Sequence, residues 1–503
     1  MKKKFLLFIN LLALLFAWQV SHIKEVSADD KIKVVTTFYP VYEFTKAVTG
    51  DSADVSMLIK AGTEPHDFEP STKNVATISD ADMFVYMDDS METWVKKVQK
   101  SINSDDLTVV KSTGDMLLMA GTAEEEEEGH EGHSHEYDPH VWLSPKRAVT
   151  LVENIRDAFV AKYPDKAETF KTNSAAYIEK LNDLDKKYSD ALSNAKQKSF
   201  VTQHAAFGYL ALDYGLNQIP ITGVSAESEP SAKRLASLTK YVKKYDIKYI
   251  YFEENASSKV AATLADEAGV KTAVLNPLES LTTKEIKAGE NYFTVMKDNL
   301  KALRLTTDVK GKEIKAETDD TKTVQHGYFK DKDVTDRKLT DWSGTWQSVY
   351  PYLLDGTLDE VWKYKADASK GEQTAQEVKD YYTTGYKTDV EKIIIDGKKN
   401  TVTFVKNGEE HKYIYKYVGY KILKYEKGNR GVRYLFEAKD DNAGDFKYIQ
   451  FSDHNISSTK AEHFHLFWGS TSQKAILKEM DNWPTYFPAS KSGQEIAQDL
   501  VAH

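Results

Sequence analysis

Val34-Val35-Thr36-Thr37-Phe38-Tyr39-Pro40 is a run of β-branched and aromatic residues that stops at a proline placed where a helix begins. The run reads as a buried strand from Val34 to Tyr39, and Pro40 opens an amphipathic helix to about Val48, ended by Gly50. The pattern repeats outward. Val55 to Ile59, Ala81 to Tyr86 and Leu107 to Lys111 read as strands, with helical stretches such as Met91 to Ser101 between them. Strands alternating with helices imply a parallel sheet covered on both faces.

The alternation restarts further on. Ser199 to Thr202, Ile247 to Phe252 and Thr272 to Leu275 read as strands, with helices from about His204, from Arg234 to Tyr245 and from about Ser257 to Ala268. Between the two sets, Ser144-Pro145 is an N-cap and N1 pair opening a helix to about Lys162. A second helical pattern, about Pro164 to Lys196, has no internal Gly or Pro and far exceeds the usual length of about 11 residues. The expectation is a two-lobed α/β domain over 29–308, with lobe one at 29–165, a spine helix at 166–196 and lobe two at 197–308. Ligands of such sheets bind beyond the carboxyl ends of the strands, hence in the cleft between lobes.

The N-terminus carries Lys2, Lys3 and Lys4, an apolar core from Phe5 to Trp18 and Val26-Ser27-Ala28, the features of a secretory signal over 1–28. The core is too short to span a bilayer comfortably. An exported protein, extracellular or held at the cell surface, is expected. The 503 residues include no cysteine, which removes disulfides, thiolate metal sites, cysteine catalysis and acylation of an N-terminal cysteine. The formal charge of −10 becomes −13 without residues 1–28. An acidic chain argues against nucleic acid and anionic membrane as partners and concentrates cations around itself.

Chemistry gathers around the histidines. Glu124 to Glu128 are five consecutive glutamates, followed by His130, His133 and His135 and then Asp138-Pro139-His140-Val141-Trp142. So many carboxylates and imidazoles cannot be buried unpaired, so the stretch is a solvated loop. Its composition collects divalent transition metals weakly and reversibly. The alternative is a solvated charge run with no chemical use. His66 follows the Val55 strand, His140 precedes a helix, His204 follows the Ser199 strand and Glu279 follows the Thr272 strand. Any one alone is ordinary at a strand end or cap. Together they converge where a cleft would be.

Thr37-Phe38-Tyr39-Pro40, Gly62-Thr63-Glu64-Pro65-His66, Asp138-Pro139-His140-Val141-Trp142-Leu143 and Thr202-Gln203-His204-Ala205-Ala206-Phe207 resemble the metal-binding solute-binding proteins of ABC importers, zinc branch, over 31–308. The resemblance implies that His66, His140, His204 and Glu279 hold the metal, that the spine helix limits hinge motion and that the protein docks on a membrane permease. Chemistry points the same way: three imidazoles and one carboxylate suit tetrahedral Zn²⁺, whereas manganese favours more oxygen and six-fold coordination. Copper(II) would bind such a set at least as strongly by intrinsic affinity. Glu253 and Glu254, at the end of the Ile247 strand, read either as partners for a ligand imidazole or as solvated strand-end residues.

Thr306 to Gln325 is rich in Thr, Asp, Lys and Glu and reads as a hydrated linker, placed at 309–325. Beyond it the grammar changes. Glu391 to Asp396, Thr401 to Lys406, Lys412 to Tyr417, Lys421 to Tyr425, Val432 to Glu437 and Lys447 to Phe451 are short strands separated by turns such as Asn407-Gly408. They imply an antiparallel sheet closing into a small barrel, with Tyr413, Tyr415 and Tyr417 on one face. Ser452-Asp453-His454 and His463-Phe464-His465 put two imidazoles on one face of a strand and a third nearby, a three-nitrogen site or an aromatic core strand that carries histidines. Residues 326–503 resemble the ZinT family of calycin-like barrels in Asp341-Trp342-Ser343-Gly344-Thr345-Trp346, Gln450 to His454, His463-Phe464-His465 and Asn482 to Tyr486. That resemblance implies His454, His463 and His465 as ligands of a second zinc, with water as the fourth.

The expected function is zinc capture for a permease by a monomer with two tight zinc sites. A zinc hydrolase and an adhesin-like surface protein are the competing classes. Against the hydrolase, the chain has no His-Glu-x-x-His motif, and no enzyme activity is expected.

Overall fold

The computed structural model describes residues 31–60, 63–102, 106–121, 137–222, 232–253, 259–312, 324, 327–369, 371–425 and 428–502. The signal segment, His130, His133, His135, Glu254 and most of the expected linker lie outside the described residues. Two compact units share the chain. One takes in residues up to Gly114, Ala148–Asp183 and Leu278–Thr294; the other takes in Asp115–Arg147, Leu184–Pro277 and Val295 onward.

The first unit is built on β1 (Ile32–Thr36), β2 (Ala53–Met57), β3 (Met83–Tyr86) and β4 (Thr108–Lys111), a parallel sheet of order β2-β1-β3-β4. Every residue of β3 is buried, as expected of a parallel strand covered on both faces. β1 stops at Thr36, three residues before the expected end, because Tyr39 already begins the helix Tyr39–Thr49 with Pro40 in its first turn. The helix expected from Met91 is regular only over Val95–Ser101. The spine is a helix of 26 residues, Ala167–Leu192, preceded by a single 3-10 turn at Pro164–Lys166.

The second unit holds a matching parallel sheet: β5 (Ser199–Thr202), β6 (Asn217–Pro220), β7 (Tyr249–Phe252) and β8 (Lys271–Val274), in the order β6-β5-β7-β8. β6 escapes sequence reading because Asn-Gln-Ile-Pro shows no strand period. The helix expected from His204 starts at Gly208 instead. The Thr202 hydroxyl donates to the His204 carbonyl and holds the intervening residues in a turn.

The same unit carries a closed antiparallel barrel of eight strands: β9 (Gly344–Ser348), β10 (Val390–Asp396), β11 (Thr401–Lys406), β12 (Glu409–Lys424), β13 (Arg430–Ala438), β14 (Tyr448–Ser452), β15 (Phe464–Gly469) and β16 (Thr485–Pro488). β9 pairs with both β10 and β16, so closure leaves no edge strand. The two strands expected at Lys412–Tyr417 and Lys421–Tyr425 are one strand, β12. Its register slips between Tyr417 and Gly419, and Gly419 sits at φ 109°, where a side chain would be strained. Trp342, Trp346, Phe404, Tyr415, Phe451 and Phe464 fill the interior, and Tyr413 and Tyr417 pack beside Tyr415 as the alternation requires. A separate apolar layer joins the helices Asp359–Ala368, Ala375–Tyr386 and Gly493–Ala502. Among the described residues no helix is long and apolar enough to cross a membrane.

Candidate metal centres

Strand register builds the first pairing of an imidazole with a carboxylate. β5 and β7 pair with Thr202 opposite Tyr251, so two residues on, His204 comes beside Glu253. The Glu253 carboxylate binds Nδ1 of His204, and both side chains are buried. His140 is held in the same manner: Asp138 Oδ1 lies 2.7 Å from its Nδ1 and also accepts its backbone N–H at 3.0 Å. A carboxylate on Nδ1 makes that nitrogen the N–H donor and leaves the lone pair on Nε2. The Nε2 atoms of His140 and His204 face each other at 3.4 Å.

In the other unit, His66 Nε2 lies 3.5 Å from Glu279 Oε1, with side-chain exposures of 1% and 7%. The Glu64 carboxylate accepts the His66 backbone N–H at 3.1 Å. Leu278, immediately before Glu279, is buried with φ +57°, a left-handed conformation costing about 1–3 kcal/mol in a residue other than glycine. Strain of this size at a donor's neighbour fits a side chain that must be aimed.

His454, His463 and His465 form the third group, with ligand atoms all within 4.8 Å of one another. His465 lies on β15 between Ser452 of β14 and Thr485 of β16. The Thr485 hydroxyl donates to the Trp483 carbonyl at 3.0 Å, so its oxygen accepts from His465 Nδ1 at 2.8 Å and leaves the ring's lone pair on Nε2. Burial, with His454 and Arg433 nearby, pushes the His465 imidazole down to about 3, so the ring stays neutral. His463 stacks on Phe487 with ring centroids 5.2 Å apart. His454 has φ +65° and follows Asp453, which is tied to the fully buried Arg337 at 2.5 Å. Arg337 also bonds Asp341 at 3.1 Å and lies over the Trp342 ring at 4.1 Å. Backbone strain at His454 is thus held by a buried ion-pair network. His463 lines a cavity of about 880 Å³ together with Ala120, Tyr137, Trp346 and Glu462.

The structure brings His66 beside Glu279, His140 beside His204, and His454 beside His463 and His465, and it sets the Glu253 carboxylate on the His204 ring. Asp138, Thr485, Arg337 and Asp453 were not anticipated as partners of the ligands. Only Asp138 carried a local signal, two residues from the histidine it holds.

A parallel α/β sheet with a His–Glu pair, a second with a His–His pair and a closed barrel with three grouped imidazoles define a metal-binding protein of the extracytoplasmic solute-binding class. The chain belongs to the family described as zinc-uptake complex component A, periplasmic (ZnuA), whose profile matches residues 34–305. Residues 320–503 match the ZinT (YodA) periplasmic lipocalin-like zinc-recruitment family. The chain is 66% identical over its whole length, and the relative's, to the zinc-binding protein AdcA of Streptococcus pyogenes serotype M6. It is 62% identical, again over both full chains, to the zinc-binding lipoprotein AdcA of Streptococcus pneumoniae. The solved structure of Zn(II)-bound AdcA from S. pneumoniae superposes with a TM-score of 0.81, covering 94% of this chain and 100% of that one.

Proposed function

We propose that the protein captures Zn²⁺ outside the cytoplasm for an ABC importer and does so at two tight sites, one formed by His66, His140, His204 and Glu279 and one by His454, His463 and His465. The observation that carries the first assignment is a pair of lengths. Four ligands at about 2.05 Å around tetrahedral zinc stand about 3.4 Å from one another. The Nε2 pair of His140 and His204 at 3.4 Å and the His66–Glu279 pair at 3.5 Å are each the length of one edge of such a tetrahedron. Three imidazoles and one carboxylate close the coordination sphere, whereas the barrel's three imidazoles leave a position for water. His204→Ala in the full-length protein should remove one of two zinc equivalents in a calorimetric titration. Retention of both would break the ligand assignment.

The barrel feeds the closed site in this reading. An open site exchanges metal faster than a closed one, and the cavity at His463 reaches Ala120 and Tyr137, the two roots of the acidic, histidine-rich stretch. A chain truncated near Thr307 should support growth at ample zinc and fall short under chelation, and His463→Ala/His465→Ala in the full chain should reproduce the shortfall. Wild-type uptake under chelation in either case would turn the barrel into a store or a sensor. The hydrolase alternative needs a carboxylate free to act as base beside the barrel's open position; of the two next to the barrel's histidines in sequence, Asp453 is committed to Arg337 and Glu462 lines the cavity at His463, so a hydrolase assay on the zinc-loaded protein separates the readings. The protein works as a monomer at a membrane permease.

A further inference from the structure

The barrel's C-terminal helix reaches into the polypeptide that holds His140. Gln498, on the helix Gly493–Ala502, accepts the Leu118 backbone N–H at 2.8 Å and donates to the Leu118 carbonyl at 2.7 Å, the two-point pairing of a side-chain amide with a peptide unit. One turn earlier Gln494 donates to the Asp115 carbonyl. Leu117, 6% exposed, is packed into the apolar layer of the barrel's helices with Leu353, Trp362 and Leu500.

The next residue carries the connection on. The backbone N–H of Met119 donates to the Tyr209 hydroxyl at 2.8 Å, and that hydroxyl donates to the Asp138 carbonyl at 2.6 Å. Asp138 in turn donates its own N–H to the Met119 carbonyl at 2.9 Å. Asp138 is therefore held by Met119 and Tyr209 on its backbone while its carboxylate holds the His140 ring. The fit is tight: a Cβ on Gly208 would come within 2.9 Å of Asp138 Oδ2. Tyr209 is fully buried, and burial beside Asp138 raises its hydroxyl well above the ordinary range, so it remains a neutral donor. A second contact runs alongside, since the helix Asp359–Ala368 packs on the helix Gly208–Asp213 that begins next to Tyr209.

We infer that docking of the barrel's C-terminal helix on residues 115–119 sets the orientation of His140, with Gln498 and Tyr209 as positioning residues, so that the zinc affinity of the His140 site depends on the barrel being seated. Seating fixes Leu118, Leu118 fixes Met119, and Met119 with Tyr209 fixes the peptide of Asp138. A misplaced Asp138 carboxylate loosens the ring that it orients, and partners of this kind are worth about 10–100-fold in metal affinity. The inference rests on His140 being a zinc ligand.

The test uses the full chain carrying His463→Ala/His465→Ala, which leaves one tight site. Zinc titration of this background comes first: absence of a tight site there would sink the reading of His140 and its companions as ligands, independently of the coupling. With that site present, adding Gln498→Ala, or separately Tyr209→Phe, should weaken zinc binding about tenfold and shift the visible d–d bands of the Co²⁺-loaded protein. In the reciprocal background His204→Ala, Gln498→Ala should leave the barrel site's affinity unchanged, which separates positioning from general unfolding. Gln498→Glu keeps only the acceptor half of the pairing and should fall between wild type and alanine. Unchanged affinity and unchanged Co²⁺ bands in Gln498→Ala, at a melting temperature equal to the background, would overturn the inference.

Discussion

Asp138 Oδ1 accepts from His140 twice, once from the backbone N–H at 3.0 Å and once from ring Nδ1 at 2.7 Å, so a single carboxylate oxygen sets both the main chain and the tautomer of the residue. Asp138→Asn keeps the shape but can present an N–H where the ring needs an acceptor. Zinc affinity at the closed site should drop by about 10–100-fold, and Glu253→Gln should act alike through His204. Competition against a chelator of known affinity measures it. Wild-type affinity in both variants would mean that the rings are oriented by packing alone.

Thr485 plays the corresponding part in the barrel. Thr485→Val preserves volume and removes the oxygen that accepts from His465 Nδ1. The barrel site should lose about tenfold in affinity while the closed site keeps its own. Titrating Thr485→Val in a His204→Ala background isolates the effect.

Arg337 is buried against Asp341 and Asp453. Replacing it by alanine strands two carboxylates in the protein interior, a change costing about 3–5 kcal/mol. The urea midpoint of the barrel transition in the full-length protein should fall accordingly, and zinc should leave the barrel faster, because His454 is next to Asp453.

Where the sequence was read correctly, the signal was local. Strands such as β1 and β5 are marked by their β-branched residues, and the spine announced itself by a long stretch without glycine or proline. The failures share a cause. Glu253 is offered by the sequence as a partner for an imidazole, but it is matched to His204 only through the β5–β7 register, which depends on two strands far apart in the chain. Strands β9 and β16 are only five and four residues long, and β16 ends in a proline, so neither shows an alternating period. The pairing of Gln498 with Leu118 joins residues 380 apart, and no window of sequence contains both.

Glu92 makes stability depend on pH. It is fully buried and accepts from the Thr37 hydroxyl and from the backbone N–H groups of Met87 and Asp88, yet burial raises its carboxyl to about 7. In the unfolded chain it titrates near the ordinary value of about 4.3. The folded state therefore holds the extra proton between these values. Its stabilising contribution is complete below about 4.3 and is lost as pH rises through about 7, a span of up to about 4 kcal/mol. Glu92→Gln should flatten this part of the stability–pH curve and gain on wild type at pH 8, as read from thermal melts across that range. A wild-type curve already flat between pH 5 and 8 would show that the carboxyl stays ionised.

Ala120 and Tyr137 are joined by an antiparallel bridge, and Asp138 is tied to Met119 one residue further out. The sixteen positions between the bridged residues are thus closed off at their base. Doubling the length of such an excursion costs only about 0.6 kcal/mol in closure entropy. Lengthening or shortening the chain there should accordingly leave the placement of His140 unchanged.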